Sequence, residues 1–415
     1  MTDIILNHCQ FYSKQFTCLK TDWNIHIKDR HIHAITKEPI TLQDATVFDL
    51  SGYTLLPGLI DAHLHIASPP SNLITDSYAD TYIGIFAKIE LEKMIDRGFT
   101  TIRDAGGDVY GIASAIKKGL IRAPRLFYSG RALSQTGGHG DFRSLPQLFV
   151  PCSCTNSGSI ISRIADGISE VRKAARDELR KGASQIKVFA SGGVTSPNDS
   201  IYDLQYSQEE LKAIVEEASL RHTYVMAHVF TPEGIIRCLE AGVRTIEHGF
   251  LLDDKSAKMM HKKKAYLVPT YTISDAFLKH SSDYGLSEDN IRKSKTVEKQ
   301  SKQALHHAIQ HRVKIGLGSD VFGDAMQYQS NELKLRSELQ PNCDVLYSAT
   351  EVNAEILHQE HQLGKIQESY LADIIAVKGD PCENIDLLLE QGKHIHLVIR
   401  DGEVVKNLDI KTNNG

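Results

Sequence analysis

Two histidines one residue apart, His63-Leu64-His65, close the apolar run LLPGLIDAHLHI, and a lysine, Lys187, stands inside another, QIKVFASGG. Single histidines end two later runs, His228 in YVMAHVF and His248 in VRTIEHGF, and Asp320 ends VKIGLGSDVF. Imidazole nitrogens and a carboxylate make a donor set for a divalent transition metal, with zinc the first candidate and cobalt or manganese also suited. Four histidines and one aspartate exceed what one catalytic ion usually takes from protein. They point to two ions about 3.5–4 Å apart that share a bridging group. Lys187 can supply that group. A buried ammonium without a partner is costly, whereas an amine combined with carbon dioxide is a carbamate, an anion with two oxygens set between two cations. Each residue alone has a plainer reading: a hydrogen-bonded core histidine, a turn-forming aspartate, a lysine at a sheet edge. Six of them at the ends of apolar runs do not share it.

To meet, these residues need a frame that brings many strand ends to one rim. Eight apolar strands can be read between Leu55 and Val321: LLPGLIDAHLHI, FTTIRDAGG, RLFYSGRAL, QIKVFASGG, YVMAHVF, VRTIEHGF, AYLVPTYT and VKIGLGSDVF. Amphipathic stretches separate most of them. SQEELKAIVEEASLRH opens with Ser207 and Glu210 at capping-box spacing, and TPEGIIRCLEAG has Thr231 at the cap, Pro232 at the first turn and Gly242 at the end. This alternation predicts an α/β fold, a (β/α)8 TIM barrel over residues 56–364, whose chemistry belongs at the C-terminal strand ends. A doubly wound open sheet is the alternative. Side chains alternate along a strand, so His63 and His65 share a face and Lys187 opposes Ile186 and Val188. The two chain ends, residues 1–55 and 365–415, read as short strands with polar turns and are expected to pair as a small β-sandwich.

At 415 residues, 41% hydrophobic and 24% charged, the composition is that of a soluble globular protein. A formal charge of −5 without a basic stripe gives no reason to expect nucleic acid, and Lys262-Lys263-Lys264 reads as a solvated helix end. No apolar segment is long enough to span a bilayer, and the start MTDIILNHCQFYSKQ lacks a secretory pattern, so a cytoplasmic location is expected. Seven cysteines, an odd number, fit a reducing compartment; Cys152-Ser-Cys154 has no matching second pair and reads as a loop. Whether copies form a homo-oligomer, and whether the polar stretch 280–302 at the mouth acts as a lid, is left open by the sequence.

The motif set resembles the metal-dependent amidohydrolase superfamily: PGLIDAHLH on strand one, a lysine on strand four, histidines ending strands five and six, and GSD at strand eight. FTTIRDAGG, GGHGD and ADIIAVKGDP…VIRDGEVV are similar to its imidazolonepropionase-related branch, which includes metal-dependent dipeptidases and carboxypeptidases. The resemblance implies that His63, His65 and Asp320 hold the more buried ion, that His228 and His248 hold the second, and that carbamylated Lys187 bridges them with a hydroxide. Asp320 would take a proton during attack and pass it to the leaving nitrogen. His139, in the glycine loop after strand three, would assist at the substrate carbonyl. The implied reaction is hydrolysis of an amide bond in a small molecule, a dipeptide or N-acyl amino acid of the Xaa-Pro dipeptidase or carboxypeptidase kind. Opening of an imidazolone- or hydantoin-type cyclic amide is the alternative, and a metal-binding protein without turnover is the reading from another class. One departure bears on substrate: where dipeptidase-like relatives often carry a carboxylate-holding tyrosine, this chain has Phe230, which cannot donate that hydrogen bond. Arg131 and Tyr271 are then the candidates for holding a carboxylate.

Overall fold

The computed structural model describes residues 3–68, 78–143, 146, 161–196 and 199–414. Cys152 and Cys154 lie outside them.

Both chain ends enter one nine-stranded sheet. Its strands are Ile4–Ser13, Cys18–Lys28, His31–Thr36, Thr46–Asp49 and Tyr53–Pro57 from the front, and Ile374–Lys378, Ile395–Arg400, Glu403–Asn407 and Thr412–Asn414 from the back. The seam between the ends is antiparallel, with Ile374 opposite Pro57 and Lys378 opposite Tyr53. Apolar residues from both ends, including Leu6, Ile25, Phe48, Leu55, Ile374, Leu397 and Ile399, bury into one cluster, so neither end has this core without the other.

The middle of the chain forms parallel strands with helices between them. Three strands, Leu59–Leu64, Phe99–Asp104 and Arg125–Tyr128, form one sheet. Ile186–Phe189, Val225–Val229, Thr245–His248, Tyr266–Val268 and Lys314–Ile315 continue in another, which also takes the short strands Ala132–Ser134 and Ser162–Ile164. Leu59–Leu64, Phe99–Asp104, Ile186–Phe189, Val225–Val229, Thr245–His248 and Tyr266–Val268 are buried throughout, as expected where helices cover a parallel sheet, whereas Arg125–Tyr128 is half-buried. The regular ladder expected of an eight-stranded barrel is interrupted at two places. Between the eighth strand and the first, Ala62 N donates to Leu317 O (2.9 Å) and His65 N to Val321 O (3.1 Å). Between the third and fourth, Ser184 N donates to Tyr128 O (2.8 Å). The eighth strand stops at Ile315, short of the run read from sequence, because glycines follow: a side chain at Gly318 would meet His63 Cβ at 2.7 Å and Val268 Cγ1 at 2.6 Å.

Asp61 ties this first seam. Fully buried, its carboxylate accepts from His63 N (3.0 Å), Ser319 N (3.1 Å), Ser319 Oγ (2.5 Å) and Gln329 Nε2 (3.0 Å). The helix caps follow the sequence. Ser207 and Glu210 complete a capping box before Gln208–Leu220; Thr231 caps Pro232–Ala241, which Gly242 ends in a left-handed conformation. The three lysines at 262–264 close the helix Asp254–Lys263 in solvent. No helix among the described residues is long and apolar enough to cross a membrane.

Candidate active site

The strand ends converge on one cavity whose wall includes His63, His65, His139, Lys187, His228, Phe230, His248 and Asp320. Asp320 Oδ1 lies 3.3 Å from His63 Nε2 and 3.2 Å from His65 Nε2. These three residues form a group whose donor atoms all lie within 4.8 Å of one another. Lys187 Nζ is 3.4 Å from His63 Nε2, and the ring centres of His228 and His248 are 4.6 Å apart.

Each of the four strand-end histidines engages one ring nitrogen with a fixed partner, and the other nitrogens of His63 and His65 face Asp320. His63 Nδ1 donates to Glu247 Oε2 (2.6 Å), His65 Nδ1 to Gly106 O (3.1 Å) and His228 Nε2 to Gly192 O (3.2 Å). His248 Nδ1 shares a hydrogen bond with Thr270 Oγ1 (2.7 Å). This is how proteins fix the tautomer and direction of a ligating imidazole. A core histidine that only needs satisfaction has no use for such a convergence.

Alternation accounts for His63, His65 and Lys187 but fails for two others. His228 stands in register with Glu247, so Glu247 shares its inward face and His248 should turn outward with Val229. Instead His248 adopts φ 69°, and Asp320 φ 55°. Left-handed backbone at non-glycine residues costs on the order of 1–3 kcal/mol. Here it swings both side chains into the cavity.

Below the donors lies a buried charged floor that the sequence reading did not include. Arg103 Nη2 donates to Glu247 Oε1 (2.9 Å) and Oε2 (3.0 Å), Thr245 Oγ1 donates to Glu247 Oε1 (2.6 Å), and Arg103 Nε donates to Ala62 O (2.5 Å). Burial alone would raise the Glu247 carboxyl, but Arg103 and His63 hold it down at about 2, an anion ready to receive His63. Burial pushes the Lys187 amine down to about 8, against the pull of Glu247 and Asp320. His228 and His248 sit well below the usual imidazole range, first through burial; His139 and His248 add to it at His228, and at His248 burial prevails over the upward pull of Asp320, with His63 and Lys187 adding to the downward push. Both rings are therefore neutral, the form that ligates a metal. Asp320 resists the upward push of burial and stays well below the usual carboxylate range because His63, His65 and His248 surround it. Asp104, raised to about 6 by burial, braces the same rim by accepting from Ile66 N and Gly106 N.

His139 stacks on His228, with ring centres 4.5 Å apart at 19°. Phe230 also lines the cavity, within an apolar wall of Phe142, Phe189, Phe250, Phe277 and Phe322. The two residues expected to hold a carboxylate are not on that wall. Arg131 pairs with Asp108 (3.1 Å), and the Tyr271 hydroxyl donates to Ser301 O (2.9 Å), so both are engaged elsewhere.

A parallel α/β frame that gathers histidines, a lysine and an aspartate at one rim is that of a metal-dependent hydrolase, and residues 54–405 match the Amidohydrolase family. The chain belongs to that family, whose members generally bind metal ions, and it is a hydrolase of C–N bonds. Ochratoxinase of Aspergillus niger is 32% identical over 364 residues, covering 85% of this chain and 75% of that protein. Among solved structures, a prolidase complexed with N-methylphosphonate-L-proline is 39% identical with a TM-score of 0.95, covering 98% of this chain and all of that one (100%). A Xaa-Pro dipeptidase with bound methionine in its active site is 28% identical with a TM-score of 0.86, covering 97% of this chain and 99% of that one.

Proposed function

We propose that this chain hydrolyses the amide bond of a small molecule with an apolar side, a dipeptide of the Xaa-Pro kind or an N-acyl amino acid, with two divalent ions held at the cavity. His63, His65 and Asp320 would hold one ion, His228 and His248 the other, and Lys187 would reach both as its carbamate. The observation that carries this reading is the set of four histidines on one cavity wall, each with one nitrogen on a fixed partner, with the other nitrogens of His63 and His65 meeting at Asp320. Bound there, such ions supply polarisation of the scissile carbonyl and activation of water near neutral pH.

The protein's own groups do the rest. An amine near pH 8 in its titration has a neutral fraction at physiological pH, and only the neutral form adds to carbon dioxide, giving a carbamate and a released proton. Asp320, kept ionised by its histidines, accepts the proton of the attacking water and returns it to the leaving nitrogen, without which an amide nitrogen departs poorly. His139 stands beside His228, where its ring can donate to the carbonyl oxygen. The phenylalanine wall supports an apolar substituent and limits bulk solvent around the reacting bond. The prolidase and dipeptidase likenesses favour a substrate of this size over a polymer.

Protein stripped with a chelator and reloaded with zinc should regain hydrolysis of N-acyl amino acids and Xaa-Pro dipeptides. Turnover confined to hydantoin- or imidazolone-type rings in the same panel would replace this reading with ring opening.

A further inference from the structure

The ring of His139 is held by groups that the reaction above does not use. Its backbone N–H donates to Gln205 Oε1 (2.8 Å), and Gln205 Nε2 donates to Asp199 Oδ2 (3.0 Å). That same oxygen lies 3.3 Å from His139 Nδ1, while Thr195 Oγ1 is 3.4 Å from Nε2. Asp199, Gln205 and His139 are all buried. The Asp199–His139 contact is close but bent: Nδ1 has no formed hydrogen bond among the described residues. Such contacts tighten when substrate arrives.

Asp199 and Thr195 belong to the chain that leaves strand four, and an outer helix, Glu288–Gln310, fixes that chain. Lys293 of this helix is buried, and its ammonium donates to Ser196 O (3.0 Å) and Asp199 O (2.6 Å); Asp289 Oδ2 stands 3.2 Å away. One turn earlier Asn290 Nδ2 donates to Val194 O (2.5 Å). An apolar side chain would fill this helix face without desolvating a charge. The ammonium does something packing does not require: it clasps two carbonyls on either side of the residue that faces His139.

We propose that Lys293 is a positioning residue, which fixes the backbone at Ser196 and Asp199 and, through the Asp199 carboxylate, sets the imidazole of His139 over the cavity. The proposal rests on the reading of His139 as the group that meets the substrate carbonyl. It gives the stretch 280–302 a role as a buttress of the catalytic loop.

The test uses full-length, metal-loaded protein carrying ¹⁵N-histidine, with the His139 signals assigned by their loss in His139→Asn. Lys293→Met and Asp199→Asn should move the His139 ring nitrogens in the same sense, with metal content unchanged. In the same variants kcat should fall about ten- to hundredfold, with KM within about twofold, the split expected when an orienting group is lost. Lys293→Arg should restore most of the signal and the rate. Should Lys293→Met not fold, Lys293→Gln, which retains one donor, is read in the same way. A His139 spectrum superimposable on wild type overturns the proposal, as does an unchanged kcat despite a shifted spectrum. The spectrum needs no substrate, so absence of amide hydrolysis with a shifted His139 would count against the function and not against the clamp.

Discussion

Replacing Glu247 by glutamine preserves shape in the floor of the site and removes one charge. The carboxylate now serves three donors at once, His63 Nδ1 at 2.6 Å, Arg103 Nη2 at 2.9 Å and Thr245 Oγ1 at 2.6 Å. An amide has a single acceptor oxygen. If it turns that oxygen to Arg103, its NH2 group faces His63 Nδ1, which must give up its proton to accept; the proton then resides on Nε2, the nitrogen 3.3 Å from Asp320 Oδ1. The loss on breaking a buried ion pair is about 3–5 kcal/mol. Arg103 keeps neutral acceptors at Ala62 O, Tyr224 Oη and Thr245 Oγ1, which places the expected loss near the lower end, about 3 kcal/mol. Loss of the group that orients a ligating histidine costs about 10–100-fold in metal affinity. Urea denaturation reads the first quantity, and competition with a zinc-binding dye reads the second. Adding Arg103→Met should recover part of the stability, since the orphaned guanidinium is removed with it. Glu247→Gln protein with wild-type zinc affinity would refute the claim that this carboxylate decides which nitrogen of His63 faces the cavity.

Lys187→Ala should lose turnover, and acetate or propionate should restore part of it by standing in for the carbamate; no restoration across a wide concentration range counts against that group. Gly193→Ala would drive a methyl into the imidazole of His139; displacement of about 1 Å predicts a loss near 100-fold in kcat, and a parallel loss of metal would show that His139 does more than meet substrate. Glu332 is fully buried, accepts from Thr272 N (2.8 Å) and Oγ1 (2.9 Å), and is pushed up to about 8 by burial despite Arg336. Its folded form therefore keeps a proton that the unfolded chain releases near 4.5, so stability should fall as pH rises between these values. Glu332→Gln should flatten that slope in urea midpoints taken at pH 5.5 and 8.5, and equal slopes would show that Glu332 is ionised in the fold.

The donors were legible because they break the grammar of their strands: a polar residue at the end of an apolar run asks for a reason. The same logic, applied to Arg103 in FTTIRDAGG and Glu247 in VRTIEHGF, would have found the charged floor, since each is as anomalous there as Lys187 is in QIKVFASGG. Position alone put His248 and Asp320 at strand ends, and both line the cavity, but their inward turn depends on left-handed backbone that no residue type announces. Arg131 and Tyr271 were named for their chemistry alone, and the partners that occupy them, Asp108 and Ser301, come from contacts that pattern does not carry. Lys293 and Asp199 were hidden in polar segments, where a buried charge looks like any solvated one. The strand alternation gave the parallel α/β frame, whereas the breaks in its ladder come from Gly130, Gly316 and Gly318 and from close approaches that periodicity cannot encode.

The carboxylate of Asp61 links positions 258 apart in the chain. On the ribosome the two histidines emerge early and must wait, since the aspartate completing their group comes from the far side of that seam. A nascent chain halted anywhere before Asp320 lacks one member of that group. An ion that takes Asp320 together with these histidines would be held only once both sides of that seam are in place.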